Sequence, residues 1–194
     1  MPHHIDLDSI HQNVFLILHL CYGSKTFAQS HNIDAGKIEE NINYEYYFGW
    51  LKYLLSEKLI EISIKTRIAM DFLSDEDENI DLYEEDKKIS SGYNIGFFIA
   101  SDKPVTIRDA CNKIIHAFSI VPLEEDGEDE HYLDEENSKK REWEYWNGVL
   151  ELNGYNNGKG WNFILHVSDF CLAIEDFICF VESSYDWNHI YKYD

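Results

Sequence analysis

Apolar residues recur at helical spacing in four stretches of this chain and alternate as strands do in one. The first helical stretch runs from about Ser9 to Ser30, with Ile10, Val14, Leu18 and Cys21 on one stripe and Phe15 and Ile17 widening it. Ser9 is placed to cap it, and Gly23 permits a bend. Residues 31–40 read as a connector. The second stretch, Tyr44 to Leu73, contains no proline and repeats Phe48, Leu51, Leu54, Leu55, Leu59, Ile62, Ala69 and Phe72. As a helix it would be about 45 Å long. Lys65 and Arg67 in its last turns suit the negative end of a helix dipole.

A third, shorter helix is announced by Pro104 and by the capping box Thr106-x-x-Asp109. It should run from Ile107 to about Phe118 and stop before Pro122. A fourth starts at a cap on Ser168 and runs to about Ser184, burying Phe170, Ala173, Ile174, Phe177, Ile178 and Val181. Between these two, residues 146–167 read as a β-hairpin. Val149, Leu150 and Leu152 precede an Asn/Gly-rich loop from Asn153 to Gly160, and Trp161, Phe163, Leu165 and Val167 follow it. Residues 93–99 suggest one more short strand. The pattern predicts one mainly α domain over residues 1–194: a bundle of about four main helices with a small β-hairpin insertion.

Charge adds to this picture. The chain carries 37 acidic and 16 basic residues. Eight of the acids fall in residues 75–86 and nine in 124–136, neither segment containing a Lys or Arg, so 20 acids face 16 bases elsewhere. The two runs read as acidic loops on a nearly balanced body. They suit either plain solvation or an electronegative face for a basic protein partner or a nucleic-acid mimic. No apolar run approaches the ~20 residues of a membrane span, and the first residues lack the pattern of a signal peptide. With four scattered cysteines and no Cys-x-x-Cys, the reading is a cytoplasmic protein without a disulfide framework.

Candidate chemistry is sparse. His3 with His4, His11 with His19, and His131 lack the spacing of a metal site, and His166 with Asp169 straddles a strand end and a cap. No metal and no cofactor is expected, since phosphate-loop and dinucleotide motifs are absent. The third helix is more informative. Ile107, Ala110, Cys111, Ile114 and Ile115 form its apolar stripe, while Arg108, Asn112 and His116 stand four apart on a polar line. A guanidinium, an amide and an imidazole in a row can bind a phosphodiester and move a proton near neutral pH. The same row also fits a polar helix side that meets solvent or a second subunit. Basic residues available to RNA are Lys65, Arg67, Lys113 and the cluster Lys139, Lys140 and Arg141. Beside that cluster, Trp143, Tyr145 and Trp146 suit packing of the hairpin on the bundle, or base stacking.

The helix order and the string Arg108-Asp109-Ala110-Cys111-Asn112-Lys113-Ile114-Ile115-His116-Ala117 resemble the HEPN superfamily, all-helical domains of RNA-targeting defence and toxin–antitoxin systems. Asn112 and His116 match the motif's polar residue and histidine. The motif's arginine position falls on Cys111, and Arg108 lies one turn earlier. The resemblance implies a metal-independent endoribonuclease in which His116 assists attack of the RNA 2′-hydroxyl on phosphorus. Asn112 would orient His116 or the phosphate, and Arg108 would stabilise the pentacoordinate charge. It also implies a homodimer through the helix bearing Asn112 and His116. The alternative is a non-catalytic acidic interaction protein: a nucleic-acid mimic, an inhibitor or a partner-docking subunit.

Overall fold

The computed structural model describes residues 6–31, 33–34, 43–74, 80–132 and 138–185, and for residues 129–132 and 138–141 the backbone alone. The order of elements is α1 (Leu7–His31), α2 (Tyr44–Leu73), α3 (Leu82–Ser90), β1 (Gly96–Phe98), α4 (Ile107–His116), β2 (Ala117–Tyr132), β3 (Ser138–Asn156), β4 (Lys159–His166) and α5 (Val167–Ser184). The fold is mainly α with a four-stranded antiparallel sheet in the order β1-β4-β3-β2. α1 packs on α2, α5 and β3, and α4 packs on α2. Ile10, Val14 and Ile17 of α1, Leu55, Leu59 and Ile62 of α2, and Phe170, Ile174 and Phe177 of α5 are fully or almost fully buried in one core. Among the described residues no helix is long and apolar enough to cross a membrane.

The long second helix has the expected bounds, and Asn43 caps it by accepting from the Tyr46 amide at 3.0 Å. α4 starts at Ile107 and α5 ends at Ser184 as expected, but several other helix ends differ. Asp6, not Ser9, caps α1: its carboxylate accepts from the Ser9 amide at 3.1 Å. α1 also runs through Gly23, where a bend was allowed. α5 begins one residue before Ser168 at an N-cap, His166, that makes no side-chain capping bond. α4 ends at His116 rather than Phe118, because Ala117 is already extended (φ −71°, ψ 132°).

The sheet is the main departure. Residues 124–132, expected in an acidic loop, lie in β2, which pairs with β3 along its whole length. Pro122 does not terminate a helix; it sits inside β2, an edge strand, where a missing N–H is tolerated. Two Gly–Trp pairs help to fix the register. Gly127 opposes Trp143 and Gly154 opposes Trp161, and in each pair a Cβ on the glycine would collide with the indole. The expected Asn/Gly loop is mostly strand. Only Asn157 (φ 50°) and Gly158 (φ 77°) form the turn, the positive-φ pair of a type I′ hairpin. Trp143, Tyr145 and Trp146 are buried, so they pack the sheet rather than offer stacking platforms. The Trp146 amide donates to Ser24 Oγ of α1 at 3.1 Å, fastening β3 to the helices.

The other expected acidic loop is also partly structured. Residues 75–79 lie outside the described residues, but 82–86 form the first half of α3, capped by Asp81.

Candidate functional site

The polar line sits on α4, whose start is built by two caps. Thr106 Oγ1 accepts from the Asp109 amide at 3.1 Å, as the capping box predicts. The second cap comes from another element. Asp86 of α3, only 1% exposed, accepts from the Ile107 amide at 2.9 Å and the Arg108 amide at 3.2 Å. Ser90 Oγ donates to the same carboxylate at 2.9 Å and accepts from Ile107 N at 3.0 Å. A buried carboxylate on the positive end of α4 meets both the orphan amides and the helix dipole. In the sequence Asp86 stands as one acid in a run, and its i, i+4 spacing to Ser90 is the only local hint of this role.

Beyond that cap lies a cleft of about 800 Å³, with Tyr83, Lys87, Lys103, Arg108, Asp109 and Asn112 among its lining residues. Arg108 and Asn112 therefore share a cavity. His116 does not line it; it is exposed at the end of α4. The cations are held by carboxylates. Arg108 pairs with Asp71 of α2, Lys103 Nζ stands 3.1 Å from Asp109, and Lys87 Nζ stands 2.7 Å from Glu84 and 4.0 Å from the Tyr83 ring centre. Lys87, Lys103 and Tyr83 were not singled out from the sequence, where nothing links them to the helix motif.

The other expected RNA-contacting cations are dispersed. Arg67 joins Arg108 at Asp71, 3.1 Å from its carboxylate. Lys65 instead ties α2 to the start of α1, reaching Glu61 at 2.8 Å and Asp6 at 3.4 Å. Lys113 points to the sheet, with Nζ 4.4 Å from the Trp161 ring centre and 5.3 Å from that of Phe98. Burial there draws its pKa down, with Lys103 adding to the effect and Asp109 opposing it. Lys139, Lys140 and Arg141 lie on β3, with side chains outside the description; their Cα partners on β2 are His131, Glu130 and Asp129. Cys111, where the expected motif would have its arginine, is fully buried, and burial pushes its thiol up to about 12.

Of the histidines weighed as metal ligands, His11, His19 and His166 have other partners, and the side chain of His131 lies outside the described residues. His11 Nδ1 lies 2.9 Å from Glu175 and its Nε2 3.3 Å from Glu182, joining α1 to α5. Burial draws its pKa down, but the two carboxylates outweigh this and raise it. His19 and His166 each hydrogen-bond a backbone carbonyl at 2.8 Å. Among the described residues no three His, Cys, Asp or Glu side chains gather as metal ligands do; His3 and His4 lie outside them. Comparison with protein families, with characterised proteins and with solved structures finds no match to this chain.

Proposed function

We propose that the chain is an HEPN-like protein that handles RNA or nucleotides through the α4 cleft, of the kind found in bacterial defence and toxin–antitoxin systems. One observation carries the reading. In a chain of 37 acids and 16 bases, this cleft brings together Lys87, Lys103 and Arg108, with Asp109 the one carboxylate among its described lining residues. Such a cavity favours a phosphate-bearing ligand, which would displace Asp71, Glu84 and Asp109 from the cations they now hold. Tyr83 and Tyr93 supply aromatic faces in the same cleft, suited to a base.

Strand cleavage by transesterification would add His116. Eight residues beyond Arg108 on one helix, it lies about 12 Å along the axis, so a strand bound at Arg108 and Asn112 would run toward the imidazole. The test is incubation of single-stranded RNA in EDTA with the wild type and with His116→Ala, scored for 2′,3′-cyclic phosphate ends. Cleavage lost in the variant supports a metal-independent endoribonuclease. Binding without cleavage supports a binding module. Absence of both binding and cleavage refutes the proposal.

A second reading, an acidic interaction protein, is favoured by the β2–β3 arm. Asp126, Glu128, Glu142 and Glu144 surround a concavity of about 390 Å³ there, with Asp34. Changing the β2 acids to amides would abolish capture of a basic partner on this reading and leave RNA binding intact on the first.

A further inference from the structure

α2 buries one face and leaves the opposite face apolar. Leu51, Leu55, Leu59 and Ile62 enter the core. On the outside, Tyr46 and Trp50 are each 62% exposed, Tyr53 58%, and Leu54, Ile60, Ile64 and Ile68 between 36 and 43%. At ~100° per residue, Tyr46, Trp50, Tyr53, Glu57, Ile64 and Ile68 fall within about 40° of a single line, with Leu54 and Ile60 along its edges. The stripe runs for about 33 Å. It exposes on the order of 700 Å² of side chain, more than the largest apolar patch of a typical monomer and close to one partner's share of a standard interface.

We infer that this stripe is the interface of a two-fold dimer in which α2 of one copy lies antiparallel on α2 of another. The choice of a second copy rests on the order of residues along the stripe. Its first half is aromatic (Tyr46, Trp50, Tyr53) and its second half aliphatic (Ile60, Ile64, Ile68), and Glu57 stands at the midpoint. Antiparallel pairing about Glu57 sets Tyr46 level with Ile68 of the second copy and Trp50 level with its Ile64. Tyr46 and Trp50 then each meet a branched aliphatic side chain, Leu54 falls level with Ile60 of the second copy and Tyr53 with its Glu61, and every contact occurs twice, as an isologous interface requires. A parallel pairing would stack ring on ring at one end and bring no such match. Lys58, whose Nζ lies 3.1 Å from Glu57 in its own chain, would offset the approach of the two Glu57 carboxylates.

The α4 polar line offers no comparable surface: Ile107, Ala110, Cys111 and Ile114 are buried, and the line itself is Arg108, Asn112 and His116. The α2 seam would end beside the ion pair of Arg108, a residue of the cleft. Asp71, the partner of Arg108, stands one turn beyond Ile68, so Tyr46 of the second copy reaches that end of the seam.

This inference does not depend on the proposed activity. Its test is sedimentation velocity of the full chain from about 1 to 50 µM, a range that covers the weak end of standard-size interfaces. The wild type should be dimeric. Ile64→Glu should weaken association at least ~30-fold, with helix content unchanged because the side chain is 41% exposed on the helix surface, and with Tm lowered only by the association that is lost. In a Cys179→Ser background, Glu57→Cys should form a disulfide dimer under mild oxidation, while Lys52→Cys, about 140° around the helix, should not. Trp50→Cys should cross-link with Ile64→Cys on mixing and not with itself. A monomer throughout the range overturns the inference. So does a dimer indifferent to Ile64→Glu, or Trp50→Cys cross-linking to itself.

Discussion

Replacing Asp86 by alanine tests how α4 is held in place. The carboxylate accepts the Ile107 and Arg108 amides and the Ser90 hydroxyl from a position that is 1% exposed. Loss of a helix cap alone costs about 1 kcal/mol. In the alanine variant Ser90 Oγ still accepts from Ile107 N, but the Arg108 amide loses its acceptor and the serine hydroxyl its carboxylate. Leaving such donors unpaired in a partly or fully buried place adds roughly 1–3 kcal/mol. The expected loss is about 3 kcal/mol. With a urea m-value of ~2 kcal/mol/M, the midpoint should fall by about 1.5 M, read by circular dichroism and tryptophan fluorescence together. Asp86→Asn keeps one acceptor and should lose about half as much. A midpoint shift below about 0.25 M for Asp86→Ala would show that water satisfies these amides, and that the cleft is not anchored through α3.

Two further outcomes follow from the packing. His11 has a raised pKa in the fold, so its stabilisation is complete below the ordinary value of 6.5 and is lost as pH rises through the higher folded value. Wild type and His11→Gln should therefore differ most in urea midpoint near pH 6 and converge above pH 8; an unchanging difference would refute the ion-pair account. Gly154→Ala drives a methyl group into Trp161, the ring beneath Lys113, and should destabilise the fold by about 1–3 kcal/mol, visible as a lower Tm.

The helices were largely legible because their burial is one-sided: α2 was bounded to the residue and Thr106 capped α4 as its sequence spacing indicates. The acidic half of the sheet was not. Glu124 to Glu130 have poor strand propensity, and their pairing is imposed from β3, whose Trp143, Tyr145 and Trp146 are buried. Leu54 belongs to the same apolar repeat as Leu51 and Leu55 yet lies on the exposed side, since a helix with apolar residues on two sides gives no single moment to follow. The polar line Arg108–Asn112–His116 was visible from spacing alone. That Arg108 and Asn112 share a cleft with Lys87 and Lys103 was not, because those lysines reach it through tertiary contacts between α3, the loop before α4 and α4 itself.

The central claim is that the cationic α4 cleft binds phosphate-bearing ligands, and its most direct test is the salt dependence of single-stranded RNA binding in EDTA, followed by fluorescence anisotropy. If Lys87, Lys103 and Arg108 each neutralise one phosphate, log K should fall against log salt with a slope of about −2. Arg108→Ala should weaken binding and reduce that slope to about −1.4. Absence of binding at ~50 mM salt, or a slope and affinity indifferent to Arg108→Ala, would contradict the account.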